Sequence, residues 1–471
     1  MVRPGGWLSL TAQARSDVSG KAIATLLVIL FAPAVSSVGG CARSLQSIDV
    51  GRDAFAVGDL ATARETLTEH ANRRGRFSQA ASLDLAIIEL AAGDAVAAEA
   101  RLRTLRDQFD ASPHLAPIRE AASIVTDDTA RVFRPAGYEE VMIRAMLSVC
   151  SLATDQVDAE SYALQATMKQ VDLAREAEER GLLDAASVYQ PIAMAPYLRG
   201  MLREATHHDY DDAARAYQLV SSVRPQFAPA EADIQRASVG THSAPGHGVL
   251  YVIACVGRGP ILQETTAPTT STALSIASAV LNAETNKEQT EDGKQVGGPV
   301  LPNIASVKIP EVVLPPSGVA AIGVRVGGVL YGATQTLTDV GELASKQVSA
   351  EMPWTIARAV VRRVTKEAAV AKVGDTLGLN GTAGSLFHFA AASAWSGVEH
   401  ADTRCWGLLP REIQVFRAEL PAGQQMVDLQ PLGFTGAAIS AAQTQRVDII
   451  DGRNRYIIVV SPDAHMYVVG N

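Results

Sequence analysis

The pattern of apolar and polar positions divides the chain into two parts. From Ser44 to about Ala237, apolar residues recur with a helical period, alanine is frequent and β-branched clusters are few, as expected of helices that pack on one another. After Ala237, glycine, proline and short runs of valine and isoleucine take over, which is typical of strands joined by turns. The pattern therefore predicts an all-α half followed by an α+β half, with Gly240 to His247 as the link.

A short motif recurs within the helical half. Residues 58–67 and 93–102 share a Gly-Asp pair, an alanine five positions after the glycine and a leucine nine positions after it. A weaker copy begins at residue 154 and a clear one at residue 208. The glycine permits a tight turn and the alanine permits close helix packing. The copies therefore resemble tetratricopeptide repeats, whose stacked helix pairs expose a concave surface for a protein or peptide partner. The alternative is an alanine-rich helical bundle without a repeat.

Short apolar runs bounded by turn residues predict the strands of the second half. Several are joined by Asp-Gly, Pro-Ala-Gly or Ser-Pro-Asp turns, which favour antiparallel pairing. The strongest hairpin pattern is Ile-Asp-Gly-Arg-Asn at 450–454, between two apolar runs. The predicted strands are Val249 to Val256, Ala305 to Leu314, Ala320 to Leu330, Glu412 to Leu420, Gln425 to Leu432, Arg446 to Asp451, Arg455 to Val460 and Met466 to Val469.

A helix with a basic stripe is predicted between these strands. It covers 339–373 with a break at Pro353, because proline lacks an amide hydrogen for the helical ladder. Its second part places Arg358, Arg362 and Lys366 at intervals of four residues, opposite an apolar face. We expect the helix to lie on a sheet with its basic side outward. The stripe is then either a solvated face or a site for phosphate or an acidic partner.

The N-terminus has the pattern of a secretory signal. Three basic residues precede an uncharged apolar block at 22–32, which is shorter than the roughly 20 residues that a membrane-spanning helix needs. The block is followed by Val-Gly-Gly-Cys at 38–41, which resembles the lipobox of bacterial lipoproteins. That resemblance implies cleavage before Cys41 and acylation of this residue, so that its acyl chains anchor the protein in a membrane. An ordinary secretory signal with an incidental cysteine is the alternative.

The predicted organisation is a signal peptide at 1–40, a helical repeat domain at 41–239 and an α+β domain at 240–471 with a mostly antiparallel sheet. We expect the protein in the cell envelope, lipid-anchored and facing the periplasm. The residue after Cys41 is Ala42 rather than an acidic residue, which favours the outer membrane over the inner one.

Composition and charge argue against several classes of protein. Fifty acidic and 41 basic residues give a formal charge of -9, so the chain has no general attraction for nucleic acid. Cys150, Cys255 and Cys405 lack metal-like spacing and are expected to be buried thiols, although one disulfide among them stays open. The sequence contains no motif of a catalytic nucleophile, phosphate loop or metalloprotease. We therefore predict no metal, no cofactor and no catalytic residue.

The segment at 399–410 carries the most distinctive polar cluster. Asp402 is expected to cap or pair, Arg404 and Trp406 to project near one another, and Glu399 to close the group as an ion pair. An arginine stacked on an indole is a common structural clamp. The alternative is that these residues line a ligand pocket.

Four segments together resemble a family of uncharacterised bacterial lipoproteins with a tetratricopeptide-like first half and an α+β second half. They are Gly-Tyr-Glu-Glu-Val at 137–141, Val-Gly-Arg-Gly-Pro at 256–260, the basic helix at 358–366 and the segment at 399–410. The resemblance implies a cell-envelope location and no agreed activity. Relatives tend to be encoded beside lipoproteins similar to activators of penicillin-binding proteins, which implies a link to cell-wall synthesis.

We therefore expect a membrane-anchored lipoprotein that acts as a protein-interaction scaffold through its helical repeats. The competing hypothesis is an envelope hydrolase or peptidoglycan-binding enzyme with its site near Glu399, Asp402 and Arg404. An open cleft at these residues favours the enzyme, whereas a sealed clamp favours the scaffold.

Overall fold

The computed structural model describes residues 48–73, 75–111, 133–182, 185–292, 306–376 and 400–470, with side chains except at 283–292 and 366–376. The predicted signal peptide, Cys41 and Glu399 lie outside the described residues. From Ile48 onward the chain forms one compact unit. The boundary predicted at residue 240 falls inside this unit, where the last helix of the first half gives way to the first strand.

The first half is helical, as predicted. Most of its helices come in pairs joined by short turns. The helices are α1 (48–56), α2 (Leu60–Asn72), α3 (Ser78–Ala91), α4 (Ala95–Asp110), α5 (Gly137–Leu152), α6 (Ala159–Glu179), α7 (Ala185–Val188), α8 (Met194–Glu204), α9 (Tyr210–Val223) and α10 (Pro229–Ser238).

The recurring Gly-Asp motif marks turns between paired helices. Gly58 and Gly93 have φ of +93° and +84°, a conformation that costs glycine less than any other residue. The carboxylates of Asp59 and Asp94 then cap α2 and α4, each accepting a hydrogen bond from the amide three residues on, at 3.1 and 3.0 Å. Paired helices of this kind do not by themselves establish tetratricopeptide repeats, so that finer assignment stays a prediction.

The second half contains sheets whose strands are mostly antiparallel, as predicted. The elements are β1 (His247–Arg258), β2 (Ile261–Pro268), α11 (Ser271–Asp292), β3 (Ser306–Val313), β4 (Ala321–Val326), β5 (Val329–Ala333), β6 (Gln335–Asp339), α12 (Val340–Thr376), β7 (Pro410–Pro421), β8 (Gly423–Leu432), β9 (Gln443–Ile449), β10 (Asn454–Ser461) and β11 (Tyr467–Gly470). A five-stranded sheet has the order β11-β10-β1-β7-β6, a four-stranded sheet has the order β5-β4-β8-β9, and β2 pairs with β3. Strands β1 and β10 are parallel neighbours.

Strand β1 is the centre of the unit. Its side chains at alternate positions, such as Leu250 and Val252, join the core shared with Ile322 of the four-stranded sheet. Side chains at the other positions face the helices, and Tyr251 packs against Tyr197 of α8 with ring centroids 6.5 Å apart. Because both faces of β1 are covered, its sequence is an almost unbroken apolar run rather than an alternation.

The predicted hairpin at 450–454 is wrong. Strand β9 pairs with β8, whereas β10 pairs with β1 and β11, so the turn connects two different sheets. The burial of the strands explains this difference. Side chains of β9 alternate between exposed and buried, whereas six consecutive residues of β10 are buried, and these two patterns suit a one-sided and a two-sided environment.

Two other local predictions need correction. The run from Ala320 to Leu330 is not one strand, because Gly327 and Gly328 adopt φ of +57° and +80° and form the tight turn between β4 and β5. Helix α12 does not break at Pro353, which lies inside it. The helix packs on α11 and β3 through an apolar core that includes Val360, and this packing offsets the missing ladder bond.

Candidate functional site

The segment at 400–409 joins the sheet half to the helical half. The indole of Trp406 is fully buried, and its backbone amide donates to Oε1 of Glu139 at 2.6 Å. The other carboxylate oxygen of Glu139 accepts from the amide of Ala136 at 2.7 Å, at the start of α5. One buried carboxylate therefore binds both a helix N-terminus and the crossing segment.

A buried ion pair lies beside this carboxylate. Arg52 of α1 donates from Nε to Oδ2 of Asp84 in α3 at 2.7 Å and from Nη2 to the carbonyl of Cys405 at 2.9 Å. Asp84 also accepts from the amide of Leu408 at 2.8 Å. A Cβ on Gly407 would collide with the Arg52 guanidinium, so only glycine lets the backbone approach so closely.

Burial shifts the protonation of several groups at this junction. It raises the pKa of Glu139 to about 7, against the opposing effect of the hydrogen bonds from Trp406 and Ala136. Burial also raises the pKa of Asp84 and that of the Cys405 thiol to about 12. The thiol is therefore protonated and unreactive near neutral pH, and Cys150, Cys255 and Cys405 are all buried and unpaired.

Asp402 and Arg404 form the predicted clamp, but on a different ring. The guanidinium of Arg404 makes two bonds to the Asp402 carboxylate, at 2.8 and 2.6 Å, and a third to the carbonyl of Arg76 at 3.2 Å. It lies over the ring of Phe133, 5.6 Å from its centroid. The expected stacking on Trp406 is therefore wrong, because the guanidinium lies over Phe133 instead, while the indole is fully buried. The side chain of Arg404 is only 2% exposed, whereas that of Asp402 is 30% exposed. The guanidinium is therefore sealed within the clamp, and the carboxylate lies at its partly exposed edge.

The predicted basic stripe on α12 does not face solvent along its length. Arg358 is half-buried and Arg362 is only 1% exposed. The side chain of Lys366 lies outside the described residues. The prediction of an outward basic side therefore fails at Arg362, because this position of the helix is buried although its residue is charged.

Helix α6 carries a row of exposed apolar side chains that was not predicted from the sequence. Leu164, Met168 and Val171 are 55%, 58% and 62% exposed, and Val157 is exposed just before the helix begins. Their spacing of four and three residues places them on one helical face. The sequence does show these residues on a different helical face from the small residues that α6 buries. Periodicity alone, however, does not reveal which of the two apolar faces is covered.

Helix α6 is held firmly beneath this row. Arg103 of α4 donates to the hydroxyl of Tyr162 at 2.9 Å, and Arg106 donates to the side chain of Gln165 at 2.9 Å. Gln170 binds the backbone at Ile192, accepting from its amide at 2.9 Å. The row is therefore presented on a fixed helix rather than on a loose one.

In the part of the chain that the structure describes, no helix is both long and apolar enough to span a membrane. The same residues contain no group of three or more histidine, cysteine or acidic side chains placed to hold a metal ion.

Comparisons with models of protein families, with curated proteins and with solved structures give no match to this chain. The resemblance to bacterial lipoproteins therefore stays a prediction that depends on the four sequence segments alone.

Proposed function

We propose that the protein is a lipid-anchored scaffold of the cell envelope that binds a helical segment of a partner protein along the α6 row, defined as Leu164, Met168 and Val171. The observation that carries the proposal is the exposure of these side chains at helical spacing. Apolar positions repeating at three and four residues are how an amphipathic helix is recognised in a helix–groove complex. Large contiguous apolar patches are uncommon on the surfaces of monomeric proteins and often mark interaction sites.

Two further observations support a scaffold over an enzyme. The guanidinium of Arg404 is buried and is bound to the Asp402 carboxylate in a structural clamp. The buried ion pair of Arg52 with Asp84 ties α1 and α3 to the segment at 405–408. A unit braced in this way holds its exposed surfaces in fixed positions, which lowers the entropy cost of binding a partner.

A matched pair of substitutions tests the proposal. Leu164→Glu places a charge in the α6 row, whereas Leu219→Glu makes the same change at an isolated exposed position of α9, which is 43% exposed. We expect the first variant to lose a complex that is seen by native electrophoresis of detergent-solubilised envelopes, and the second to keep it. Equal complexes in the two variants would reject the row as the binding surface. Circular dichroism of both proteins checks that each is folded.

The anchor is tested separately. Cys41→Ser removes the thiol that acylation requires, so we expect the protein to move from the membrane fraction to the soluble periplasmic fraction. Retention in membranes after this change would reject lipid anchoring but leave the α6 row untouched. A link to cell-wall synthesis is part of the same proposal and depends only on the sequence resemblance.

A further inference from the structure

A cavity of about 190 Å³ lies where three parts of the chain meet. Helix α1 forms one side, residues 257–259 at the end of β1 form the second, and residues 407–409 form the third. Two of the four segments singled out by the sequence resemblance therefore line the same cavity. The partner-binding surface proposed on α6 includes none of the residues that line this cavity.

The backbone shapes the wall of this cavity. Gly257 has a φ of +79°, and a Cβ on Gly259 would collide with the carbonyl oxygen of Leu409. The end of β1 therefore packs directly on the neighbouring segment, and a side chain at either glycine would move the wall. The apolar part of the lining includes Phe55, Ile261 and Leu409.

Charges of both signs line the cavity: Asp49, Arg52, Asp53 and Arg258. Arg52 is already held by Asp84, Asp49 and the carbonyl of Cys405, so the pair open to a ligand is Asp53 with Arg258. Asp53 of α1 accepts from Nη2 of Arg258 at 2.7 Å, and the Asp53 side chain is largely exposed. Exposed ion pairs of this kind contribute only about 0–1 kcal/mol to stability. A ligand can therefore replace the contact between Asp53 and Arg258 at little cost.

The charge pattern selects the class of ligand. An anion that binds Arg258 would leave Asp53 without its cation, and a cation that binds Asp53 would leave Arg258 without its anion. A zwitterion satisfies both when it enters between them. The volume suits a small molecule, since a cavity of about 150 Å³ accepts benzene. We propose that this cavity binds a small aliphatic α-amino acid, with its carboxylate on Arg258, its ammonium on Asp53 and its side chain against the apolar wall.

Titration calorimetry of the full chain with L-valine tests this inference. We expect saturable binding of L-valine. Isovalerate lacks the ammonium and isobutylamine lacks the carboxylate, so each should bind at least about tenfold more weakly. No saturable heat with L-valine at millimolar concentration, or equal binding of isovalerate, would overturn the proposal.

Variants locate the binding site. Asp53→Asn and Arg258→Gln should each weaken L-valine binding about tenfold or more, and Leu408→Phe should weaken it by filling the cavity without changing a charge. The control is the exposed pair of Arg175 with Asp172 on α6, where Asp172→Asn should leave binding unchanged. Wild-type affinity in both Asp53→Asn and Arg258→Gln would place L-valine elsewhere and reject the site. Unfolding curves of every variant establish that lost binding does not reflect lost structure.

Discussion

Two regions of the molecule depart from the rule that charged side chains are exposed and apolar ones are buried. They are the junction around Arg52, Asp84 and Glu139 and the apolar row on α6, and they depart from it in opposite directions. At the junction, charged groups are buried, although such groups are normally solvated. On α6, apolar groups are exposed at regular spacing. The buried charges are accounted for within the chain, since each has hydrogen-bonding partners there. The exposed row is not covered by any part of the described residues, so we infer that a partner protein covers it.

This contrast separates residues that maintain the fold from residues that serve binding. Substitutions at the junction should lower the free energy of unfolding, whereas substitutions in the α6 row should lower partner binding at nearly constant stability. The following predictions compare the two regions, beginning with the largest expected effect.

The largest effect is expected from Asp84→Ala. The substitution removes the buried carboxylate partner of Arg52 and leaves, as its ion pair, only the longer contact to the exposed Asp49 at 3.3 Å. The amide of Leu408 also loses its acceptor. Breaking a buried ion pair in this way typically costs about 3–5 kcal/mol. Urea unfolding followed by circular dichroism measures the change. Asp172→Ala, which breaks an exposed pair with Arg175, is the control, and similar losses in the two variants would show that the junction is no more important than a surface contact.

The next effect is a dependence of stability on pH from Glu139. The pKa of Glu139 is about 7 in the folded chain, against 4.5 for an ordinary glutamate such as that of the unfolded chain. Between these two pH values the folded state therefore holds a proton that the unfolded state has released. The free energy of unfolding therefore receives its full contribution from this proton below about pH 4.5. That contribution, about 3 kcal/mol in total, is lost as the pH rises through about 7. The measurement is the difference in unfolding free energy between wild type and Glu139→Gln across pH 4 to 8. A difference independent of pH would contradict the raised pKa.

The smallest effect is expected from Leu164→Ala. Its side chain is already exposed, so the free energy of unfolding should change by no more than about 0.5 kcal/mol. Leu173→Ala on the same helix removes a buried side chain and should cost about 2–5 kcal/mol. Thermal or urea unfolding of the two variants gives the comparison directly. A large loss for Leu164→Ala would mean that the row packs within the chain and is not a free surface.

The sequence predicted the broad architecture because that depends on local periodicity. Helical spacing before residue 240 and short apolar runs after it were sufficient to place most elements. Strand partners were harder, as the turn at 450–454 shows. The same local pattern suits a hairpin or a crossing between sheets, and the choice depends on how many faces of β10 are covered.

The candidate sites were less predictable, because they depend on contacts between distant segments. Asp402 and Arg404 lie two residues apart, so their pairing could be inferred from the sequence. Arg52 and Asp84 meet Cys405 and Leu408 across more than three hundred residues, and no local pattern indicates that meeting. The burial of Arg362 was unpredictable for the same reason. A basic stripe on a helix predicts a solvent-facing side only if no other element of the fold covers that side.

The central claim is that the α6 row binds a partner helix in the envelope. Photo-cross-linking in intact cells tests it most directly, with a photoreactive amino acid placed at position 164 in one strain and at position 219 in another. The account predicts a discrete adduct with one protein from position 164 and none from position 219. An absence of adducts at position 164, or the same adducts from both positions, would contradict it.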